Sequence, residues 1–445
     1  MMTNRLGMGL LAGILMVSLG TWADNLPGAK RPRMDLYGPE SVLVQCPPDT
    51  DGIDTDGDGI VDNDNVCMHL TSGDGFVKTA DRDRTGAIPE KGDIYTFGFS
   101  DVTLSDVPAL DGVCGAEFPA PTLVGYVGGA GTPQPLREGQ KLYLTLTNVG
   151  MVMRGDLFDP HTVHFHGFPN ASTIFDGEPM AGISINMGAS LTYFYNLVEP
   201  GTYMYHCHVE ASEHMQMGML GNLYVLPKQD RLPNGTDLRG FTHVSGYKYA
   251  YNDGDGSTFY DVDFPIQVTS FDPKFHDADL SIQPLDFAYM KDTYPMLNGR
   301  GYPDTVLNAP IMNNRKAYRP ELLNKPAQKV NAIIQAGVNQ KLLLRISSLA
   351  TTEFYSVKIM GLSMKVIGRG ARLLRGPDGP GGAPGKNLYY DTDTITLGGG
   401  QSAEVILDLA GVTPGTYYLY SSNLNHLSNN TEDYGGMMTE IVVTP

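Results

Sequence analysis

Positive charge is scarce in this chain of 445 residues, where 31 Lys and Arg face 49 Asp and Glu and leave a formal net charge of −18 at pH 7. Such a surface repels phosphate backbones and anionic lipid, which excludes nucleic acid as a partner. Long stretches of 3.6-residue apolar periodicity are missing as well, which argues against an architecture of βαβ units. Past the first two dozen residues no apolar run is long enough to cross a bilayer, so no membrane span is expected in the processed chain. Cysteine is limited to Cys46, Cys67, Cys114 and Cys207. In an oxidising compartment either a Cys46 to Cys67 bridge or a bridge from Cys114 to one of those two is open.

What is present begins with the pattern of an export signal. In "MMTNRLGMGLLAGILMVSLGTWAD" Arg5 precedes an apolar run from Met8 to Leu19, and Thr21 and Ala23 are spaced for cleavage. Residues 1–23 are therefore expected to be removed, leaving Asp24 as the new N-terminus of a periplasmic or extracellular protein.

Strand signals fill most of the remainder. In "KLYLTLTNV" Leu142, Leu144 and Leu146 alternate at period two, and "LTYFYNL", "GNLYVLP", "QKLLLRISS" and "AEVILDL" are alike. The 53 Gly and 30 Pro punctuate these runs, which points to an all-β protein of Greek-key sandwiches. The order repeats: "EGQKLYLTLTN" returns as "VNQKLLLRISS", and "EPGTYMY" as "TPGTYYLY". Two similar sandwich domains are expected at 24–228 and 259–445. A polar, turn-rich linker at 229–258 would join them, and an acidic insertion lies at about 46–67.

Six of the ten histidines fall between His161 and His214. In "DPHTVHFHGF" His164 and His166 share one face of a strand while His161 precedes it; in "YHCHVEASEHMQMGM" His206 and His208 share a face and Cys207 points to the other. Two sites therefore meet at one strand. On the Cys207 side His161 and His214 supply imidazoles, and the His-x4-Met spacing favours Met219 over Met215 and Met217 as a weak axial thioether. Thiolate, two imidazoles and a long thioether bond describe a type 1 copper site. On the opposite side His164, His166, His206 and His208 offer imidazoles for a second copper site. Zinc also takes Cys and His but has little use for adjoining histidine-rich sites with an axial methionine.

The motifs "HTVHFHG" and "YHCHVEASEHMQMGM" resemble the paired signatures of the multicopper oxidases, especially the two-domain laccase-like and nitrite-reductase-like cupredoxin proteins. The resemblance implies two tandem cupredoxin-like domains, with His161, Cys207, His214 and Met219 as type 1 ligands. It implies that His164, His166, His206 and His208 are half of a trinuclear centre that reduces oxygen, with the other half from another domain. It further implies a small-molecule or metal-ion electron donor, oxygen as acceptor, and a homo-oligomer such as a trimer. The second domain departs from the family: Tyr355, Lys358 and Met360 stand in the places of His161, His164 and His166. Ser421, with Ser422 or Asn423, stands near the positions of Cys207 and His208. The remaining histidines are His69, His243, His276 and His426, and none forms a His-x-His pair. His426 is open to two readings, a substitute ligand or a structural residue of the turn "NLNHLSNN". The expected function is an exported laccase-type copper oxidase; the alternatives are a copper-binding electron carrier without enzymatic activity and, further off, a nitrite reductase.

The insertion "CPPDTDGIDTDGDGIVDNDNVC" spaces Asp54, Asp56, Asp58 and Asp62 as in an EF-hand-like oxygen cage, with Gly59 at the turn and Ile60 offering its carbonyl. Asn65 stands where a bidentate acid is wanted, so Asp64 is the substitute. The stretch also resembles a thrombospondin type 3 repeat, and structural Ca²⁺ is expected.

Overall fold

The computed structural model describes residues 46–61, 63–81, 93–105, 108–127, 133–168, 172–281, 286–313, 325–380 and 383–445. The expected signal peptide lies outside these residues, as does Asp62.

The first domain contains β1 (Asn65–Lys78), β2 (Asp93–Asp101), β3 (Lys141–Gly150), β4 (His164–His166), β5 (Ser190–Asn196), β6 (Gly201–His206) and β7 (Leu220–Leu226). One sheet has the order β2-β1-β3-β5; the other runs from Leu136–Arg137 through β7 and β6 to β4. Leu142, Leu144 and Leu146 of β3 are all fully buried, and each such side chain contributes about 2 kcal/mol by leaving water. Between β6 and β7 runs a short helix, α1 (Ala211–Met217).

The second domain contains β8 (Val262–Phe271), β9 (Tyr294–Leu297), β10 (Lys341–Ser348), β11 (Tyr355–Ile359), β12 (Met364–Arg369), β13 (Thr394–Leu397), β14 (Gln401–Asp408), β15 (Gly415–Ser421) and β16 (Met438–Thr444). Its sheets have the orders β9-β8-β10-β14-β12 and, starting from Ile334–Gly337, β16-β15-β11-β13. The topologies repeat: β1 runs parallel to β3 as β8 does to β10, and Leu136–Arg137 runs parallel to β7 as Ile334–Gly337 does to β16. The molecule is a tandem of cupredoxin-like Greek-key sandwiches, the fold class expected from its strand patterns.

The domains share a core of Phe118, Met204, Leu220, Phe271, Tyr294 and Leu349. Polar contacts cross the same seam. Ser347 Oγ donates to Asn222 Oδ1 at 2.7 Å, and the Thr202 amide donates to Glu404 Oε1 at 3.0 Å. The segment at 229–258 is itself packed: the Phe241 ring meets those of Tyr247 and Tyr249, and all three meet Phe259 just beyond it. Of the pairings left open by the sequence, the chain forms the Cys46–Cys67 disulfide, with Cα atoms 5.9 Å apart, and Cys114 is buried outside it.

Candidate metal centre

Strand register creates the two-sided arrangement. β4 and β6 pair antiparallel with His164 opposite His206, so the imidazoles of His164, His166 and His206 lie on one side. The next residue along, Cys207, turns to the other.

On that other side Cys207 Sγ lies 3.1 Å from His214 Nδ1 and 3.8 Å from His161 Nδ1, and it accepts the Thr162 amide at 3.4 Å. His161 is held by reciprocal backbone hydrogen bonds with Ile185 at 3.0 and 2.9 Å. His214 comes from α1, which Gly218 ends with φ of 117°, its amide returning to the carbonyls of His214 and Met215. That turn brings the Met219 amide to the His214 carbonyl at 2.8 Å, and the Cys207 amide to the Met219 carbonyl at 3.2 Å. Met219 is fully buried in the same core cluster as Cys207; Met217 also packs that core, while Met215 packs the seam between the domains.

The electrostatics suit a metal-binding thiolate. Burial alone would push the Cys207 thiol up, but the His214 charge and hydrogen bonds from His161 and His214 bring it down to about 5. Burial would depress the His214 imidazole, yet the Cys207 and Asp159 charges raise it well above its ordinary value. Asp159 Oδ2 stands 3.1 Å from His214 Nε2 and fixes the ring. The sulfur and two nitrogens converge within 4.8 Å of one another in full burial, and His161 Nε2 has no hydrogen-bond partner among the described residues. A soft, buried donor set of this kind fits copper.

On the opposite side the donor atoms of His164, His166 and His206 also lie within 4.8 Å of one another. His166 Nε2 is 2.9 Å from His206 Nε2, and the His208 ring is 4.7 Å from that of His164. Other ring nitrogens are anchored: His164 Nδ1 contacts the Asp176 carbonyl and His206 Nδ1 the Cys207 carbonyl, each at 2.7 Å. Burial pulls His206 down to about 3 and lowers His166, the latter helped by the charges of His164 and His208. A neutral imidazole, which burial favours at His166 and His206, is the form a metal requires. Gly400 of the second domain closes this side, where a Cβ would stand 2.6 Å from His166 Nδ1.

In the acidic loop the carboxylates of Asp54, Asp56 and Asp58 converge within 4.8 Å. Asp56 Oδ2 is buried and has no hydrogen-bond partner among the described residues. Asp64 is not part of this group, because its two oxygens accept the amides of Thr55 at 2.6 Å and Asp56 at 3.0 Å. The Ile60 amide donates to Asp58 Oδ1 at 2.8 Å, and its side chain is exposed. Arg137 Nη1 approaches Asp58 at 3.7 Å and Asp56 at 4.0 Å.

The second domain repeats the register without these histidines. Lys358 pairs with Tyr420 and Val357 with Ser421. Tyr420, Ser421 and Ser422 therefore stand in the places of His206, Cys207 and His208, which decides between Ser422 and Asn423. Lys358 Nζ is bound to Asp393 at 2.6 Å.

The sequence motifs assign no role to two further contributors. Asp159 lies two residues before His161, and extending the internal repeat by two places would have set it over Glu353. Gln216 gives no local signal: it sits on α1, yet its Nε2 contacts Asp292 Oδ1 at 2.7 Å, Met290 Sδ at 3.0 Å and Thr351 Oγ1 at 3.3 Å. Its Oε1 accepts the Asp272 amide at 2.9 Å. Beside this contact a cleft of about 740 Å³ is lined by Glu210, Ser212 and Glu213 from the first domain and Met290, Thr351 and Thr352 from the second.

Residues 135–230 and 288–443 each match a family model described as multicopper oxidase, and together they span more than half of the chain. Among solved structures the chain is similar to a blue copper oxidase from Nitrosomonas europaea, with a TM-score of 0.55 and 19% identity over 85% of each chain. It is also similar to the multicopper oxidase mgLAC, with a TM-score of 0.55 and 18% identity over 85% of this chain and 86% of that one. At these identities the likeness is one of fold. No curated protein matches the sequence.

Proposed function

Because the chain belongs to the multicopper oxidase family, a family of copper-dependent oxidoreductases, we propose that it is an exported, laccase-type oxidase. It would take electrons from a small-molecule or metal-ion donor and deliver them to oxygen. His161, Cys207, His214 and Met219 would hold a type 1 copper, and His164, His166, His206 and His208 would hold copper on the far side of the strand. Copper bound there would supply one-electron transfer at the thiolate and a place for oxygen reduction among the imidazoles.

One observation carries this reading: the buried Cys207 thiol contacts His161 and His214 while its immediate neighbours in sequence, His206 and His208, belong to the other imidazole group. A single peptide unit on each side thus joins the two groups. The remaining tasks fall to ordinary residues. Asp159 fixes the His214 ring, Asp176 and the Cys207 carbonyl fix the rings of His164 and His206, and burial excludes water from the thiol. The donor would enter the cleft beside α1, where Glu210 and Glu213 give an acidic wall. Ca²⁺ at Asp54, Asp56 and Asp58 would stiffen the loop closed by the Cys46–Cys67 disulfide.

The copper-loaded protein should show an intense visible thiolate-to-copper band and consume oxygen with a phenolic or metal-ion donor. The Cys207→Ser variant should lose both. A second reading, an electron carrier, is favoured by Lys358, Met360 and Tyr420 standing where a complementary histidine half-site is wanted. An intense band without oxygen uptake would decide for the carrier. Two first domains meeting across an interface would restore eight imidazoles; a fully copper-loaded monomer would rule that arrangement out.

A further inference from the structure

We propose that the second domain holds a vacated type 1 copper site, formed by Tyr355, Ser421, His426 and Met437, in which only the thiolate and one imidazole have been replaced. The proposal rests on reading the Cys207 cluster as a type 1 site, and it goes beyond that reading by assigning a second, latent site for copper. Each position corresponds through a contact of its own. Ser421 Oγ is 3.1 Å from His426 Nδ1, as Cys207 Sγ is 3.1 Å from His214 Nδ1. The Met437 amide donates to the His426 carbonyl at 2.8 Å, as the Met219 amide does to the His214 carbonyl at 2.8 Å. The Ser421 amide donates to the Met437 carbonyl at 2.9 Å, as the Cys207 amide does to the Met219 carbonyl at 3.2 Å.

The fourth position and the outer partner follow the same plan. The rings of Tyr355 and His426 lie 4.7 Å apart at 54°, and those of His161 and His214 lie 5.0 Å apart at 60°. Two residues before each first ring stands an acid on the far nitrogen of the second: Glu353 Oε2 at 3.0 Å from His426 Nε2, and Asp159 Oδ2 at 3.1 Å from His214 Nε2. Met437 is fully buried, as Met219 is. His426 is therefore neither a lone turn residue nor a substitute ligand for the oxygen-facing group. It occupies the place of His214.

Ser421, His426 and Glu353 also have the order of a hydrolytic triad, but Ser421 is fully buried, so no substrate reaches its hydroxyl. A serine hydroxyl stays protonated and is a poor ligand for copper, and the Tyr355 phenol fills the volume an imidazole would need. The wild-type cluster is thus closed to copper, and the chain carries one type 1 site rather than two.

The test is made in a Cys207→Ser background, so that any thiolate-to-copper band comes from the second domain alone. Adding Tyr355→His and Ser421→Cys should restore an intense visible band and one further copper per chain over the Cys207→Ser protein. If the triple variant fails to fold, Cys207→Ser with Ser421→Cys and Tyr355→Gly, supplied with free imidazole, provides the same ligands without a new side chain at position 355; its band should rise with imidazole. A folded variant of either kind with no band and no added copper overturns the proposal. Absence of a band in the wild-type protein would instead overturn the first-domain reading, independently of the outcome here.

Discussion

Asp159 illustrates how much depends on a residue that holds no metal itself. Its contact with His214 Nε2 keeps Nδ1 directed at Cys207, and second partners of this kind are worth about tenfold to a hundredfold in metal affinity. Asp159→Asn should weaken copper binding by that factor in a chelator competition, and an unchanged affinity would show that His214 is held by packing alone. Strand alternation made it legible that Cys207 faces away from His206 and His208, and the spacing of His161 and His214 around it supplied the other two donors. Asp159 was legible only as a residue that the internal repeat sets over Glu353, since an acid near a histidine is common and the fold alone shows which ring it meets. Elsewhere in the first domain, burial lifts Glu117 from an ordinary value of 4.5 to about 7 despite Lys329 at 2.7 Å. A raised carboxyl stabilises the fold fully below the unfolded value and loses that stability as pH rises through the folded one. The decline between about pH 4.5 and 7 should be on the order of 3 kcal/mol. Glu117→Gln should flatten it in urea titrations at pH 5 and 8.

At the scale of elements, α1 and the turn after it decide the geometry. Gly218 combines φ of 117° with a would-be Cβ only 2.9 Å from the Phe97 carbonyl, so Gly218→Ala should cost about 1 to 3 kcal/mol. It should also shift the visible band by moving Met219, while copper held by His164, His166 and His206 stays; a band of wild-type position would mean that Met219 is not coupled to this turn. The neighbouring strands of the sandwich were readable from alternation at period two, and the paired runs around Gly201 and Gly415 were enough to see two domains. The correspondence of Met219 with Met437 was not. Met219 stands five positions after His214, but Met437 stands eleven after His426, and a loop of unequal length breaks any gapless comparison.

In the whole molecule the two sandwiches are joined by more than a connecting chain. The fold class follows from the strand content, but that the domains share a core does not, because Phe118, Phe271 and Tyr294 read as ordinary strand or loop residues until their partners are known. Gln216 is the polar counterpart of that core: it stands between His214 and Met219 in sequence, and its amide is held by Asp272 and Asp292 of the other domain. Thermodynamic reciprocity then applies, for if the grip of the second domain on Gln216 tightens the metal-binding loop, loading that loop must tighten the domain contact by the same factor. Copper should slow amide exchange at Asp272, whose N–H donates to Gln216 in the seam, and Gln216→Ala should abolish that slowing. With that coupling the interface would be a gauge of metal occupancy, readable at a distance from the metal.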